Sequence, residues 1–417
     1  HPYLRRRDGL EPVVYPSKEI RQALSRTLGV PIFQEQVMQI AMLAADFTPG
    51  EADSLRRAMA AWKRKGGLGP FHDRLVKRMV EKGYAPEFAE SIFKQIQGFG
   101  EYGFPESHAA SFALLAYDSS WIKCHHPDAF LAGLLNSQPM GFYQPAQLVR
   151  DAREHGVEVR TVDVAVSGWE SSLEDGAEGR PLRPVRLGLN RVAGLSEAAG
   201  QRIVQARGQG DFANAEDLAR RAGLNAHDLQ ALAQANALES LAGHRHQAAW
   251  AVAGIDTRPP ELLRHSRVHE GAAVLNAPTE AQEMLADYRG LGLTLKRHPL
   301  ALLREQLKAF KVEPAAVLRG YPDGRLARAS GLVTHRQRPE TAKGTVFVTI
   351  EDETGAVNVI VWPRIAEAQR KPLLASRLLT VFGQWQREGD VMHLVASRLI
   401  DHTDLLQGVA TRSRDFR

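Results

Sequence analysis

Basic side chains concentrate in one stretch of the sequence, residues 56–82. Nine Lys or Arg stand there against two acidic residues, a net charge of +7, whereas the whole 417-residue chain carries only +5. Lys and Arg that neutralise phosphates release counterions and supply most of the sequence-independent affinity for nucleic acids. Two interpretations stand, a solvated helix face and a phosphate-facing surface. The second predicts DNA contacts at Lys63, Arg64 and Lys65.

A pair of glycine-containing turns is the next candidate for phosphate binding. Residues 192–196 (Val-Ala-Gly-Leu-Ser) are typical of a helix-hairpin-helix turn, in which a glycine lets backbone amides at a helix N-terminus hold a phosphate. Ser196 stands where that motif often has its second glycine, and serine is a good N-cap. A glycine between two helices is more often only a turn, but a second copy follows about 30 residues later. Together the copies predict DNA contacts at Gly194, Ser196 and Gly223.

The last quarter of the sequence changes to a period of two. Strands are predicted at 327–333, 346–352, 357–362, 378–385 and 392–400, with Gly355 and Gly389 at hairpin turns. A helix predicted near 363–374, between the third and fourth strands, gives the pattern of an OB-fold barrel. Such a barrel can bind single-stranded DNA through cations and stacking rings. The candidates are His335, Arg336, Arg338, Lys343, Phe347, Trp362, Trp385 and Arg387. Among them, alternation predicts that Phe347 or Trp362 fills the interior instead.

Other kinds of site have little support. The acidic run 351–353 could ligate a metal ion, but it falls where the barrel needs a hairpin turn, for which Asp and Gly are favoured. The histidines at 125–126 and 244–246 have no further ligands at metal spacing, and the sequence contains no P-loop. Cys124 is the only cysteine, which fits a reducing compartment. No apolar run approaches the roughly 18–20 residues that span a bilayer, so we expect a cytoplasmic protein without a membrane partner.

The elements that position these residues fall into several domains, as expected for this length. Residues 1–165 are predicted to form the first domain, which is helical to about residue 135 and has a β-like stretch at 157–166. Its helices include 18–28 and 107–123, and a capped helix start stands at Thr48-Pro49-Gly50-Glu51. A tandem helix-hairpin-helix module is predicted at 166–255, a helical connector at 256–318, the OB barrel at 319–405 and a tail at 406–417. The predicted fold class is multidomain and mainly α, with a C-terminal β-barrel.

Several motifs of the helical half occur together in one known family. They are Gly29-Val30-Pro31-Ile32-Phe33-Gln34-Glu35-Gln36, Leu55-Arg56-Arg57-Ala58-Met59, Gly100-Glu101-Tyr102-Gly103-Phe104, Ser107-His108-Ala109-Ala110 and Trp121-Ile122-Lys123. In order and spacing they resemble the fingers of the bacterial DNA polymerase III alpha family (family C), in which hairpins and an OB barrel follow. The segments Gln337-Arg338-Pro339 and Arg412-Ser413-Arg414-Asp415-Phe416 resemble the error-prone, damage-tolerance branch of that family.

The resemblance implies a DNA-directed DNA polymerase of translesion synthesis that acts on primer-template and single-stranded DNA. It assigns Arg56 and Arg57 to the triphosphate of the incoming dNTP, and Tyr102 and His108 to the nascent base pair. The palm aspartates that hold Mg²⁺ in this family are absent from residues 1–417. We therefore expect them upstream of His1, and we expect this C-terminal segment alone to be inactive.

Two alternatives stay open. One is a fragment of a replicative polymerase, and the other is a non-catalytic DNA-repair protein with helix-hairpin-helix and OB domains. The replicative branch carries a clamp-binding peptide, for which Gln306-Leu307-Lys308-Ala309-Phe310 is a weak match inside a helix predicted at 300–310. The error-prone branch implies instead an accessory mutagenesis protein that links the polymerase to the sliding clamp.

Overall fold

The structure is a computed structural model that describes residues 1–65, 69–98, 105–141, 143–176, 179, 181–256, 275–339, 342–406 and 414–416. It forms two compact units, His1–Trp121 and Ile122–Arg417. Within the described ranges, no helix has both the length and the apolar character needed to cross a membrane.

The first unit is helical, as predicted. Its helices are α1 (Pro2–Arg7), α2 (Lys18–Leu24), α3 (Gln34–Ala45), α4 (Pro49–Lys65), α5 (Gly69–Glu81), α6 (Pro86–Gly98) and α7 (Glu106–His125), which continues into the second unit. Apolar side chains at helical spacing form its core, among them Ile40, Leu55 and Met79. The capping box predicted for α4 is confirmed, because Thr48 N donates to Glu51 Oε2 (2.8 Å) and Glu51 N donates to Thr48 Oγ1 (3.3 Å).

Helix α7 has no buried residue along its 20 residues. The helix predicted at 107–123 is confirmed, but its apolar residues do not form one buried face. Exposed large apolar side chains along it are Phe112, Leu114, Leu115, Tyr117, Trp121 and Ile122. Helices in water normally bury an apolar stripe, but the large apolar side chains of α7 are exposed among the residues that the structure describes.

The second unit begins with a helical part. Its helices are α8 (Pro127–Asn136), α9 (Pro145–Glu154), α10 (Glu197–Arg207), α11 (Ala215–Ala222), α12 (Ala226–Gln234), α13 (Glu239–Ala242), α14 (Arg245–Ala253), α15 (Glu280–Gly290), α16 (Pro299–Lys308) and α17 (Ala315–Leu318). One buried cluster extends from Leu131 to Leu293. The hairpins therefore share a core with residues on the other side of the domain boundary predicted at 165/166.

A small sheet lies within this helical part. Its strands β1 (Val159–Arg160), β2 (Ser172–Leu173) and β3 (Val185–Arg186) have the order β1-β3-β2. Strand β3 pairs in parallel with β1 and antiparallel with β2. The strand expected over 157–166 is limited to β1, because Val164 N donates to Ala237 O (2.9 Å), outside the sheet.

The rest of the second unit is a closed OB barrel, as predicted. Its strands are β4 (Leu326–Gln337), β5 (Val346–Asp352), β6 (Gly355–Val361), β7 (Leu378–Glu388) and β8 (Val391–Asp401). The order β5-β6-β8-β7-β4 closes by pairing of β4 with β5, and α18 (Pro363–Ala368) and α19 (Arg370–Ala375) lie between β6 and β7. Gly355 (φ 147°) and Gly389 (φ 60°) stand at the predicted hairpin turns. Outside the closed ring, β9 (Arg414–Phe416) pairs in parallel with β4.

Candidate nucleic-acid interface

Arg56 and Arg57 are held together by one carboxylate, that of Asp53. Arg56 Nε donates to Asp53 Oδ1 (2.9 Å), and Arg57 Nη2 lies 3.0 Å from Asp53 Oδ2. The hydrogen bond from Arg56 holds the pKa of Asp53 below its usual value, so this carboxylate stays ionised. Both guanidinium groups are partly exposed. Two guanidiniums with one counter-charge keep a net positive charge that a phosphate can neutralise.

Two other cations of the basic stretch hold the first unit together. Arg74 pairs with Glu51, and Arg78 lies 3.6 Å from the same carboxylate. Their guanidinium carbons also lie 5.5 and 5.4 Å from the centroid of the Phe47 ring. These two arginines attach α5 to the start of α4. Neither of the two interpretations of the basic stretch, a solvated helix face or a phosphate-facing surface, therefore applies to them.

Of the other residues predicted for the first unit, the structure describes the side chain of His108 but not those of the rest. His108 is exposed near the start of α7, with its ring centroid 4.4 Å from that of Phe112. Outside the described residues lie Tyr102 and the side chains of Lys63, Arg64 and Lys65. Of the predicted nucleotide-site residues, the structure therefore brings together Arg56 and Arg57.

The first hairpin turn has a backbone conformation that favours glycine. Gly194 has a φ of 86°, which L side chains rarely adopt. Ser196 caps α10 by accepting a hydrogen bond from Ala199 N (3.2 Å). The segment before the turn is a short 3₁₀ helix, Leu189–Arg191, rather than an α-helix. The turn thus keeps its glycine and its capped helix, while its leading helix is reduced to a single turn.

The second hairpin turn, between α11 and α12, is tied to the first. Gly223 ends α11 in the left-handed conformation, with a φ of 59°. Arg202 on α10 donates to the carbonyl oxygens of Ala222 (2.8 Å) and Gly223 (3.3 Å). His227 on α12 hydrogen-bonds the carbonyl oxygen of Gly194 (3.2 Å). Each turn is therefore held by a side chain from the other hairpin.

The barrel presents cations and rings near β5 and β6. Arg338 and Lys343 are exposed between β4 and β5, and Phe347 on β5 and Trp362 after β6 are 37% and 52% exposed. OB-folds bind oligonucleotides on the face of their second and third strands, which here are β5 and β6. The expectation that Phe347 or Trp362 fills the interior is wrong, because Trp385 fills it at 2% exposure.

Arg336 does not lie on the surface, contrary to the prediction that it contacts DNA. Its buried guanidinium donates from Nε to Leu373 O (2.7 Å) and from Nη2 to Ser376 O. The cause is a register shift in β4 between Val333 and His335. The shift reverses the alternation of β4 after Val333, and the Arg336 side chain is therefore buried.

The acidic run 351–353 is structural. Asp352 Oδ1 accepts hydrogen bonds from Thr354 N (2.8 Å) and Gly355 N (3.0 Å), which confirms the predicted turn role. Arg304 on α16 donates to Glu353 Oε1 (2.7 Å) and Asp352 Oδ2 (3.1 Å). Among the side chains that the structure describes, no three His, Cys, Asp or Glu are arranged to hold a metal ion.

Glu351 joins the helical part to the barrel. Arg150 Nη1 on α9 lies 2.6 Å from Glu351 Oε1, yet burial still raises the pKa of this carboxyl. His298 Nε2, at the start of α16, lies 3.7 Å from the same oxygen. Burial lowers the pKa of His298 to about 4, so this imidazole is neutral near pH 7.

The weak match to a clamp-binding peptide lies at the end of α16. Leu307 is fully buried, and the ring of Phe310 packs on that of His402, with centroids 4.2 Å apart. Leu307 and Phe310 therefore pack within the fold rather than project from it.

Three family models match the chain. Residues 1–83 match the finger domain of the bacterial DNA polymerase III alpha subunit. Residues 156–248 match a helix-hairpin-helix motif, and residues 327–401 match an OB-fold nucleic acid binding domain.

The chain is also similar along its whole length to curated proteins named error-prone DNA polymerase. It is 58% identical over 416 residues to the protein from Alkalilimnicola ehrlichii. It is 59% identical over 422 residues to that from Bordetella bronchiseptica and 59% identical over 428 residues to that from Burkholderia pseudomallei. In each case it spans 40% of the relative's length. Among solved structures, asparaginyl-tRNA synthetase from Pyrococcus horikoshii matches 22% of the chain, and 22% of its own, at 21% identity and a TM-score of 0.19.

Proposed function

We propose that this chain is a segment of an error-prone DNA polymerase, and that it is the part that binds the incoming nucleotide and the DNA. The complete enzyme would be a DNA-directed DNA polymerase used in translesion synthesis and damage-induced mutagenesis. The observation that carries the proposal is the group formed by Asp53, Arg56 and Arg57 on a segment that matches a polymerase finger domain.

In this proposal Arg56 and Arg57 clamp the triphosphate. A guanidinium is always charged and forms bidentate hydrogen bonds with phosphate oxygens. Asp53 holds the two groups side by side before the nucleotide arrives, so less reorganisation is needed when it binds. Their charge also stabilises the negative charge that develops on the leaving pyrophosphate. Tyr102 and His108 would line the nascent base pair.

The same proposal assigns the DNA to three surfaces. The positive φ of Gly194 and the mutual hydrogen bonds of the two hairpins support backbone contacts with phosphates. The exposed cations and rings near β5 support binding of a single strand. The assigned residues are Lys63, Arg64 and Lys65 on α4, Gly194, Ser196 and Gly223 in the hairpins, and Arg338 and Lys343 on the barrel.

The chemical step is assigned to the 60% of the relatives' length that this chain does not cover. Palm aspartates there would hold the Mg²⁺ ions that act on the primer 3′ hydroxyl and the dNTP. This chain alone would then incorporate no nucleotide. An accessory mutagenesis protein would link the enzyme to the sliding clamp, and the enzyme would work in the cytoplasm.

The test is Arg56→Ala with Arg57→Ala in the complete enzyme. We expect kcat/KM for dNTP incorporation to fall about 100-fold or more, as when a transition-state charge loses its donors, while the Kd for primer-template changes less than about twofold. The matched control is Arg5→Ala with Arg7→Ala, which removes two exposed arginines that also pair with acids in the first unit. Equal loss of incorporation and DNA binding would contradict the triphosphate role.

Two alternatives receive less support. A non-catalytic repair protein would not need a segment that matches a polymerase finger domain over residues 1–83. A replicative polymerase fragment is disfavoured because the relatives of 54–59% identity are named as error-prone enzymes.

A further inference from the structure

A row of three side chains crosses the outside of the barrel on β4, β7 and β8. Arg328 pairs in register with Phe382, and Phe382 pairs with Arg398. The two guanidinium carbons lie 4.9 and 5.8 Å from the centroid of the Phe382 ring. Both arginines are exposed and Phe382 is half-buried. This Arg-Phe-Arg row therefore presents two cations and an aromatic ring to solvent together.

The charge of the row is not neutralised within the described part of the protein. Neither Arg328 nor Arg398 forms an ion pair with a described acidic side chain, unlike Arg56, Arg150 and Arg304. Arg328 makes one long hydrogen bond, from Nη1 to Phe310 O (3.4 Å), which leaves its other donors available. The next row on this face consists of Leu326, Gln384 and Val395 and adds no carboxylate.

A strand irregularity sets the position of Arg398. The register of β7 and β8 shifts between Phe382 and Gly383, which leaves Ser397 as an extra residue. Ser397 and Arg398 are consecutively exposed, and Ser397 Oγ donates to Phe382 O (3.0 Å). A Cβ at Gly383 would lie only 2.0 Å from Val395 O, so β7 and β8 can approach each other this closely only with glycine at position 383. Bulges of this kind redirect side chains and are common beside functional sites.

We propose that the Arg-Phe-Arg row is a second contact for single-stranded nucleic acid on the barrel. It rests on the proposed DNA-binding function and adds a surface on β4, β7 and β8 to the one on β5 and β6. The guanidiniums pair with backbone phosphates, and a base stacks on the planar groups of the row. Charge complementarity alone would also fit an acidic peptide, but the aromatic ring between the two cations favours a ligand that carries both phosphates and bases.

The test uses the whole 417-residue chain and a fluorescein-labelled 20-nucleotide oligo-dT, with binding followed by anisotropy at several salt concentrations. Arg328→Gln with Arg398→Gln should raise Kd at least about fivefold and reduce the slope of log K against log salt by about 1.4, because each single-strand phosphate contact contributes about 0.7. Phe382→Leu, which removes the ring but keeps apolar volume, should raise Kd about fivefold or more without changing the slope. The matched control is Arg370→Gln with Lys371→Gln, two exposed cations on α19, which should change Kd less than about twofold.

The outcomes separate this proposal from the proposed function. If the wild-type chain does not bind oligo-dT, the proposed DNA-binding function and this surface both fail. If the wild-type chain binds oligo-dT but the double variant of Arg328 and Arg398 has the same Kd, only the second contact fails. It also fails if the control variant loses as much affinity as that double variant does. If polyglutamate displaces oligo-dT as well as unlabelled oligo-dT does and Phe382→Leu has no effect, the row is a site for acidic peptides and the proposal is overturned.

Discussion

His227 hydrogen-bonds the carbonyl oxygen of Gly194, 33 residues earlier in the chain, at 3.2 Å. The contact brings the start of α12 against the first hairpin turn. A Cβ atom at position 194 would lie 3.3 Å from His227 Nε2, closer than ordinary van der Waals contact. Glycine is thus required there for two reasons, the φ of 86° and the neighbouring imidazole.

Gly194→Ala should therefore destabilise the chain more than Gly223→Ala. Both positions have positive φ, which costs an alanine about 1 kcal/mol. At position 223 the nearest atom to a new Cβ would be Arg202 Nε at 4.0 Å, so crowding adds nothing there. We expect losses in the free energy of unfolding of about 2 kcal/mol for Gly194→Ala and about 1 kcal/mol for Gly223→Ala in urea titrations. Adding His227→Ala to Gly194→Ala should recover part of the difference, and equal losses in the two single variants would contradict the crowding.

Removal of the Arg304 side chain should weaken the attachment of α16 to the barrel. Arg304→Ala leaves the carboxylates of Asp352 and Glu353 without their cation at a largely buried hairpin turn. We expect a loss of about 3 kcal/mol in the free energy of unfolding, measured by urea titration at pH 7. Arg297→Ala is the control, because it removes an exposed ion pair with Glu280 and should cost less than about 1 kcal/mol. Similar losses for both variants would show that the Arg304 pairs are solvent-screened.

The titration of His298 predicts a loss of stability in acid. Burial lowers its pKa to about 4, whereas an unfolded histidine titrates near 6.5. Between these values the unfolded chain binds a proton that the folded chain does not, so stability falls as the pH drops through this window. Glu351 acts in the opposite sense, because burial raises its folded pKa and the fold loses stability as the pH rises through that value.

His298→Asn isolates this contribution. The His298 side chain also caps α16, accepting a hydrogen bond from Leu300 N (3.2 Å), and asparagine keeps that capacity without titrating. Between pH 7 and pH 5 the wild-type chain should lose about 2 kcal/mol more unfolding free energy than the variant, since Glu351 is present in both. Urea titrations at the two pH values measure the difference. An identical pH dependence would mean that His298 titrates normally in the fold.

Local sequence patterns predict the barrel well because its strands alternate and its tight turns need Gly355 and Gly389. They mispredict Arg336 and miss the Arg-Phe-Arg row for one physical reason, a register shift in a strand, which periodicity does not reveal. The role of Asp53 could have been predicted, since it stands three and four residues before Arg56 and Arg57 on one helix.

Local sequence patterns do not predict the ionic group that joins the helical part to the barrel. Arg150, His298 and Arg304 lie far from residues 351–353 in the sequence, and only the tertiary fold brings them together. No local pattern could predict these ion pairs, whereas the turn role of residues 351–353 was predicted correctly.

The exposed apolar side chains of α7 predict concentration-dependent self-association of this chain. Contiguous exposed apolar side chains promote association in water, and Leu114 and Leu115 are 67% and 60% exposed. Leu114→Glu with Leu115→Glu should shift the sedimentation profile towards monomer while leaving the helical circular dichroism unchanged, because Glu is as good a helix former as Leu. Leu10→Glu, which removes one exposed apolar side chain outside any helix, should leave self-association unchanged. A wild-type chain that stays monomeric at high concentration would contradict this prediction.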